Sequence, residues 1–280
     1  MPETASLSAS PRQPVLRFED VTVMFEDSPV LSHLSFEAKE GESRVILGAA
    51  GSGKTVLLKT AMGLIRPETG KVYAFGRELT ALAERDLFEI RSKIGMVFQE
   101  SALFDSLTIE ENVAYPLVNQ KAIRRRPEEV HDRVVEALEF VELGGTLEKF
   151  PSELSGGMRR RAAIARAVVT NPPLTLYDSP TAGLDPITAH TIMALLIKAR
   201  DMTRTTSLVV THRYQDGNLI ANFRYNSKQG QLEPARNGGR PEIRTTFMVL
   251  QEGRLVFEGN QEQLESSKDL YISKFAKKRE

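Results

Sequence analysis

The sequence predicts an α/β fold whose main sheet is largely parallel, and two observations support this prediction. Short apolar segments of strand type alternate with segments of helical periodicity along most of the 280 residues. One strand-type segment, residues 43–47, runs straight into a glycine-rich turn and the start of a helix. In sheets built from such alternation, ligands bind at the edge formed by the carboxyl ends of the strands.

Composition and charge exclude several classes of protein. The formal net charge is +0, so no overall field attracts the chain to nucleic acid or to anionic lipid. Because there is no cysteine, disulfides and thiolate metal sites are excluded, and four scattered histidines do not suggest a zinc cluster. No apolar run approaches the length that spans a bilayer. We expect residues 1–14 to be a disordered tail without signal-peptide features, and the protein to stay where it is made.

The first hundred residues contain strand-type segments that are bounded by turn signals. The turns are expected at 39–42 and 67–70, where glycine, proline and charged residues cluster. A helix should follow the glycine-rich turn and end near Gly63. The predicted strands are 15–25, 30–38, 43–47, 71–76 and 94–98.

Between Gln99 and about residue 169 the pattern becomes helical. Pro127 suits the first turn of a helix, and four apolar residues after it fall on one helical face. These are Val130, Val134, Leu138 and Val141.

The rest of the chain returns to alternating strands and helices. A segment at 226–241, rich in Gly, Asn, Pro and Gln, is expected to be an inserted surface loop. The other predicted elements are strands at 174–177 and 207–211, a helix at 186–200, a hairpin of 246–250 and 254–258 around Gly253, and a closing helix at 261–276.

The glycine-rich turn carries the pattern G-x-x-x-x-G-K-T. Its glycines let backbone N–H groups curl around a phosphate, and the following helix N-terminus adds partial positive charge. Lys54 can reach the β- and γ-phosphates of a nucleotide, and the Thr55 hydroxyl can ligate Mg²⁺. The alternative is a chance glycine turn, which the strand–turn–helix context argues against. The pattern occupies Gly48, Ala49, Ala50, Gly51, Ser52, Gly53, Lys54 and Thr55.

Further motifs follow this phosphate-binding loop (P-loop) in a set order. Leu-Ser-Gly-Gly-Met at 154–158 precedes an arginine-rich helix, Asp178 ends a strand, and His212 directly follows another. From residue 15 to about 274, this order resembles the ATP-binding subunit of an ATP-binding cassette (ABC) transporter. The resemblance implies a P-loop NTPase (RecA-like) core with a mainly parallel sheet, an antiparallel β subdomain and an α-helical subdomain.

The same resemblance implies one ABC ATP-binding domain, residues 15–276. Its helical subdomain would span about 100–169, and its surface insertion would span about 226–241. A basic tail, 277–280, would follow the domain.

ATP and Mg²⁺ are the cofactors that the resemblance implies. Thr55, Gln99 and Asp178 would hold or sense Mg²⁺, with Asp178 acting through the water shell of the ion. Gln99 would also sense the attacking water, and His212 would contact the γ-phosphate. Phe25 would stack on adenine, unless it is a plain core phenylalanine. The signature motif would hold the γ-phosphate of the nucleotide in the opposite subunit through Ser155, Gly156 and Gly157.

Each motif also has a purely structural alternative. Ser155 could simply cap a helix, Asp178 could cap a turn, and His212 could be an ordinary surface histidine. The order of the motifs favours the functional interpretation. Met158 stands where the family more often has glutamine, so a polar contact of the signature is in doubt.

The departure from the family pattern that matters most is at position 179. The family has glutamate directly after the Asp178 position, where it positions and polarises the attacking water, and this chain has Ser179. A serine hydroxyl is not a usable base near neutral pH, and general-base help is worth roughly 10²–10⁴ in rate. We therefore expect ATP binding with low turnover. Either hydrolysis leans on His212 and Gln99, or an acidic residue elsewhere substitutes.

Longer strings of sequence narrow the resemblance to the Mla-type branch (maintenance of lipid asymmetry). The strings are Phe-Gln-Glu-Ser-Ala-Leu-Phe-Asp-Ser-Leu-Thr at 98–108 and the signature ending in Met-Arg at 158–159. This branch implies phospholipid or other lipid transport. The partners would be a membrane permease, a lipid-binding protein with an Mce domain, and a second ATP-binding subunit, identical or different. The chain would lie peripherally on the cytoplasmic face of the inner membrane.

Two questions stay open on the sequence alone. Leu103, Phe104 and Leu107 could contact a permease or could simply pack the helical subdomain. As an alternative to a transport ATPase, the chain could be a non-transport ABC protein or, given Ser179, a catalytically silent nucleotide-binding regulator.

Overall fold

The structure is a computed structural model, and it describes residues 14–120, 126–235 and 244–276. Strands and helices are numbered separately along the chain. The strands are β1 (Pro14–Phe25), β2 (Ser28–Lys39), β3 (Ser43–Leu47), β4 (Thr69–Ala74), β5 (Arg77–Glu78), β6 (Ile94–Val97), β7 (Leu174–Asp178), β8 (Thr206–Thr211), β9 (Phe223–Asn226), β10 (Gln231–Pro234), β11 (Thr245–Gln251) and β12 (Arg254–Gly259). The helices are α1 (Lys54–Ala61), α2 (Glu84–Arg91), α3 (Ile109–Asn119), α4 (Pro127–Phe140), α5 (Gly156–Val168), α6 (Pro186–Thr203), α7 (Tyr214–Asn222), α8 (Gln261–Glu265) and α9 (Ser273–Ala276).

The central sheet has six strands in the order β12-β11-β3-β8-β7-β6. All of its strands are parallel except the edge strand β12, which pairs antiparallel with β11. Every residue of β3, β7 and β8 is buried. Both faces of these strands are covered, which explains why their sequences are continuous apolar runs rather than alternating ones. The parallel α/β core predicted from the sequence is confirmed.

The second sheet is antiparallel, with the order β2-β1-β4-β5. Its strands alternate between buried and partly exposed residues because only one face is covered. The stacked rings of Phe18 and Phe36, 4.8 Å apart between centroids, form part of that covered face. They belong to a core cluster shared with Ile46 of β3, whereas Val45 and Leu47 point to the opposite cluster with the helices. Alternate residues of one strand thus join the two halves of the core.

The helical subdomain contains α3, α4 and α5, which pack on one another. α3 begins with a capping box in which Thr108 and Glu111 each satisfy the other's backbone N–H. α4 begins at Pro127, as the sequence predicted, and Val134, Leu138 and Val141 are fully buried. The apolar stripe read from the sequence therefore marks the buried face of this helix.

Asn112 is a fully buried polar residue of α3 that shapes the loop before the helix. Its side-chain oxygen accepts a hydrogen bond from the Phe104 N–H at 2.8 Å. Its amide nitrogen donates to the carbonyl oxygens of Phe104, Leu107 and Thr108 at 3.0, 3.1 and 2.9 Å. One side chain therefore fixes the turn from Phe104 to Thr108.

Two stretches differ from the sequence expectations. The closing helix predicted at 261–276 is two short helices, α8 and α9, because the Asp269 carboxylate accepts hydrogen bonds from the Tyr271 and Ile272 N–H groups and starts a new turn. The inserted loop predicted at 226–241 begins as a hairpin of β9 and β10, turned by the side chain of Asn226. Residues 236–241 lie outside the described residues.

The predicted ends of the domain need one correction. Pro14, expected as the end of a disordered tail, is the first residue of β1 and pairs with Lys39. The remainder of that tail and the basic tail 277–280 lie outside the described residues. Along the described stretches, no helix combines the length and the apolar character that a bilayer crossing needs.

We predict that Asn112→Ala lowers the free energy of unfolding by about 1–3 kcal/mol, because it empties a fully buried position and removes the hydrogen bonds to the Phe104 N–H and the Leu107 carbonyl oxygen that hold the 104–108 turn. Asn119→Ala, in the same helix, is the matched control, since Asn119 is exposed and its amide makes one hydrogen bond to Tyr115. That control should stay within about 0.5 kcal/mol of the unaltered chain. Chemical denaturation measures both variants, and equal losses would contradict the prediction.

Candidate active site

The chemically active residues predicted from the sequence gather at one edge of the central sheet. In the sheet register, Leu47 of β3 lies beside Thr211 of β8, and Val210 of β8 lies beside Asp178 of β7. The carboxyl ends of these strands therefore lie next to one another. The P-loop follows β3, Gln99 follows β6, and His212 follows β8 directly. The fold brings these groups to the edge at which open α/β sheets bind ligands.

The P-loop has the backbone geometry that phosphate binding requires. Gly51 and Gly53 have positive φ angles of 77° and 96°, which residues with a Cβ rarely adopt. A Cβ on Gly48 would lie 2.6 Å from the Leu250 carbonyl oxygen, so only glycine fits there. Within the described stretches, α1 has no side-chain hydrogen bond that caps its N-terminus. Its first N–H groups therefore stay available to an anion at the positive end of the helix dipole.

Lys54 folds back onto the P-loop that precedes it. Its Nζ donates hydrogen bonds to the carbonyl oxygens of Gly48 at 2.8 Å and Ala49 at 2.6 Å, and it lies 3.3 Å from the Ser52 Oγ. Burial lowers the pKa of the Lys54 ammonium, and the nearby Asp178 carboxylate opposes this shift. The ammonium is thus held at the centre of the loop, where phosphate oxygens could replace the carbonyl partners.

Thr55 and Asp178 meet across the sheet although they lie 123 positions apart in the chain. The Thr55 Oγ1 donates a hydrogen bond to the Asp178 Oδ2 at 2.7 Å. The hydroxyl and the carboxylate are hard oxygen donors, the ligand type that Mg²⁺ prefers. Thr55 and Asp178 would therefore hold a magnesium ion, and their oxygen donors fit the chemistry of that ion.

Ser179 stands beside this pair in a constrained conformation. Its φ angle is +46°, a left-handed value that is unusual for serine. Its N–H donates to the Val210 carbonyl oxygen at 2.9 Å, and its Oγ donates to the Asp178 Oδ1 at 3.2 Å. The hydroxyl therefore acts as a hydrogen-bond donor to the aspartate, and it is not a usable base near neutral pH.

Asp216 forms a buried connection that the sequence analysis did not find. Its Oδ2 accepts hydrogen bonds from the Thr181 and Thr211 hydroxyls, both at 2.7 Å. Thr181 lies two residues after Ser179, and Thr211 immediately precedes His212. Burial raises the pKa of Asp216, and the two threonine hydrogen bonds oppose that shift. The carboxylate thus fixes the loops after β7 and β8 relative to each other, whereas the exposed His212 side chain is left facing outward.

The signature motif lies at an exposed helix start. Ser155 caps α5 by accepting a hydrogen bond from the Met158 N–H at 3.3 Å, and Ser155 and Gly156 are exposed. A Cβ on Gly157 would lie 2.6 Å from a methyl carbon of Thr188 in α6, so a larger residue would push the helices apart. This exposed cap can meet a second molecule.

Two side chains whose roles the sequence left open have defined surroundings. Phe25 is 48% exposed at the end of β1, so it is not a core residue and its ring is free to stack on a ligand. Leu103 packs against the helical core, whereas Phe104 is 42% exposed and lies with its ring centroid 4.7 Å from that of Tyr115. Leu103 therefore contributes to packing of the helical subdomain, whereas Phe104 leaves apolar surface exposed.

Fold and site define a nucleotide-binding P-loop cassette. The family model described as ABC transporter matches residues 31–182, and the chain belongs to this family of ATP-binding, ATP-hydrolysing subunits. The ABC ATPase homologues of this chain work as dimers with membrane permease components.

Individual relatives show how far the similarity extends. The intermembrane phospholipid transport system ATP-binding protein MlaF of Haemophilus influenzae is 33% identical over 95% of this chain and 91% of its own length. The probable ribonucleotide transport ATP-binding protein mkl of Mycobacterium leprae is 36% identical over 74% of this chain, which spans about 60% of that protein. The similarity to MlaF confirms the resemblance to the Mla-type branch.

Solved structures agree with the fold. The dimeric post-hydrolysis state of the ATP-binding cassette MJ0796, bound to ADP and Pi, superposes with a TM-score of 0.73 and 32% identity. The match covers 88% of this chain and 98% of that one. CbiO1 of Clostridium perfringens, part of the ABC transporter complex cbiONQ, superposes with a TM-score of 0.74 and 26% identity over 91% of this chain and 92% of its own.

The raised pKa of Asp216 predicts a specific pH dependence of stability. The folded chain holds this proton more tightly than the unfolded chain, so the contribution of Asp216 is complete below its ordinary pKa of 3.8 and is lost as pH rises through the raised value. The free energy of unfolding of the unaltered chain, relative to that of Asp216→Asn, should therefore fall as pH rises above 3.8. Denaturant titrations at a series of pH values measure this difference.

Asp185→Asn is the control for this experiment. Hydrogen bonds from Thr188 hold the pKa of the Asp185 carboxyl below 3.8, so its contribution is constant above that pH and is lost only in stronger acid. A pH-independent difference for Asp216→Asn as well would show that burial does not perturb Asp216.

Proposed function

We propose that this chain is the ATP-binding subunit of an ABC transporter that drives phospholipid or other lipid transport through ATP-dependent dimerisation. The observation that carries the chemistry is the meeting of the Lys54 loop with the Thr55–Asp178 pair at one sheet edge. The similarity to MlaF over nearly the full length of both chains supports the lipid cargo.

In this proposal, each site residue has a defined task. The N–H groups of the P-loop and the Lys54 ammonium bind the β- and γ-phosphates of ATP. Thr55 and Asp178 hold Mg²⁺, which neutralises phosphate charge. Gln99 senses the ion and orients water, and His212 turns from its exposed position to contact the γ-phosphate. Phe25 stacks on the adenine ring.

The second half of the nucleotide site comes from another subunit. The exposed N-terminus of α5, with Ser155, Gly156 and Gly157, faces the γ-phosphate that is bound by the partner's P-loop. Closure of two subunits therefore depends on nucleotide, which binds the closed state better than the open one. Release after hydrolysis lets the subunits separate.

Ser179 makes hydrolysis slow in this proposal. Loss of a general base costs roughly 10²–10⁴ in rate, which is about 3–5 kcal/mol of activation free energy. ATP binding is spared because Lys54, Thr55 and Asp178 are all in place. Residual turnover relies on His212 and Gln99, or a different subunit that carries the glutamate supplies a competent site.

The membrane partner is an integral permease, and an Mce-domain lipid-binding protein completes the proposed system. Phe104 and the ring of Tyr115 present exposed apolar surface just after the Gln99 segment. A permease bound to this surface would lie near the segment that contains Gln99, and it could respond to whether nucleotide is bound. The chain would lie on the cytoplasmic face of the inner membrane, and co-purification with the permease tests this arrangement.

We predict that Lys54→Ala weakens ATP binding by about 10- to 100-fold, because it removes charge-assisted hydrogen bonds to the phosphates. Lys59→Ala is the matched control: Lys59 lies further along α1, away from the loop, and its removal should leave the dissociation constant unchanged. Isothermal titration calorimetry with MgATP measures both. Equal affinity of Lys54→Ala and the unaltered chain would refute the proposed site.

We predict that Ser179→Glu raises the ATPase turnover number, by up to the roughly 10²–10⁴ that a general base is worth. Ser179→Gln has a similar shape but no carboxylate, and it should not produce this rise. Phosphate release is measured with and without the permease. If the unaltered chain already turns over at an ordinary enzyme rate of about 1–10³ s⁻¹, the proposed slow site is wrong.

A further inference from the structure

The carboxyl-terminal part of the chain returns to the P-loop and contacts it through one hydroxyl. The Tyr271 hydroxyl accepts a hydrogen bond from the Ala49 N–H at 3.3 Å and donates one to the Leu250 carbonyl oxygen at 3.1 Å. It therefore bridges the first turn of the P-loop and the end of β11. Tyr271 is outside every motif that the sequence analysis used.

The surrounding segment holds Tyr271 in place. The Asp269 carboxylate accepts the N–H groups of Tyr271 and Ile272 at 2.8 and 2.9 Å. The ring of Phe275 packs edge-on against the Tyr271 ring, with centroids 5.2 Å apart, and Ile272 is buried. With its backbone and ring both fixed, the tyrosine can hold its hydroxyl at the loop at little entropic cost.

The same segment is also fastened to the helix that follows His212. Gln261 of α8 donates hydrogen bonds to the Tyr214 hydroxyl at 2.7 Å and to the Asn218 side chain at 2.9 Å. The Tyr214 hydroxyl in turn donates to Glu265. The carboxyl-terminal segment thus spans from α7 to the P-loop, on the side of the central sheet edge where nucleotide would bind.

The hydrogen bond between Ala49 and Tyr271 is independent of the hydrogen bonds that the Ala49 carbonyl oxygen makes. The Ala49 carbonyl oxygen accepts from the Lys54 Nζ at 2.6 Å and from the Ser52 N–H at 3.2 Å. When Lys54 turns to a phosphate, it gives up part of this contact. The hydrogen bond from the Ala49 N–H to Tyr271 does not involve Lys54, so it can keep the first turn of the loop in place during the exchange.

We infer that Tyr271 is a positioning residue of the nucleotide site, which fixes the start of the P-loop so that its N–H groups are already arranged for phosphate. The inference rests on the proposed ATP binding and adds to it a residue that touches the loop rather than the nucleotide. A preorganised loop binds more tightly because less of its ordering is left to the moment of binding.

The test removes one oxygen atom. Tyr271→Phe keeps the ring and its packing on Phe275, and it should weaken MgATP binding by about three- to tenfold, the range for one net hydrogen bond. The KM for ATP should rise by a similar factor while kcat at saturating ATP stays the same, since the catalytic groups are intact. Tyr225→Phe is the matched control, because no hydrogen bond of the Tyr225 hydroxyl is found among the described residues.

The possible results separate cleanly. Unchanged affinity of Tyr271→Phe, or a fall in kcat with no rise in KM, would overturn the inference while leaving the proposed function standing. Failure of the unaltered chain to bind MgATP would overturn the proposed function itself. Asp269→Ala, which loosens the segment without touching the hydroxyl, should show the same rise in KM, and its absence would count against a positioning role.

Discussion

The hydrogen bond between Thr55 and Asp178 is the contact on which the candidate site depends. It joins the helix after β3 to the end of β7, two elements separated by 123 positions. The contact is possible only because β8 lies between these strands in register with both. The contact depends on this register, since a shift of β7 by one residue would turn Asp178 to the other face of the sheet. The same register that buries the core strands therefore brings together the two residues that would hold the proposed magnesium ion.

The sequence predicted those parts of the fold and site that short-range patterns encode. The core strands were found because buried parallel strands are continuous apolar runs, and the P-loop because its glycines are required locally. α7 was missed because it contains Gly217, a poor helix former that is needed there: a Cβ would lie 2.6 Å from the ring of Phe247. Asp216 and Tyr271 were missed for related reasons. Asp216 is bonded by two threonine hydroxyls, and Tyr271 is bonded to backbone groups that are far away in the sequence. Neither kind of partner produces a recognisable sequence motif.

Hydrogen bonds join α5, the helix that begins at the signature motif, to residues 98–102, the segment that contains Gln99. Arg160 of α5 donates to the Phe98 carbonyl oxygen at 3.2 Å, and Arg166 donates to the carbonyl oxygens of Ser101 and Ala102 at 2.9 and 2.7 Å. Ser101 and Ala102 both have left-handed backbones, with φ angles of 66° and 49°. Such backbone strain persists only where surrounding contacts determine it. These hydrogen bonds join the residues on either side of Gln99 to the helix that would hold the partner's γ-phosphate.

In the proposed function, serine at position 179 would allow nucleotide binding without supplying the base for hydrolysis, whereas a carboxylate at this position would supply that base. In the proposed function, closure of two subunits would draw on nucleotide binding, to which Lys54, Thr55 and Asp178 would contribute whether or not hydrolysis follows. Opening would require hydrolysis or release, and hydrolysis is the step that a missing base would slow, by roughly 10²–10⁴. A pair in which both sites carry serine would therefore stay closed longer than a pair with one glutamate-bearing site. The hydrogen bond from Ser179 to Asp178 agrees with this proposal, because it orients the carboxylate that would hold the metal and does not supply a base. In the proposed function, the residue would suit a subunit that holds nucleotide while another sets the pace of opening.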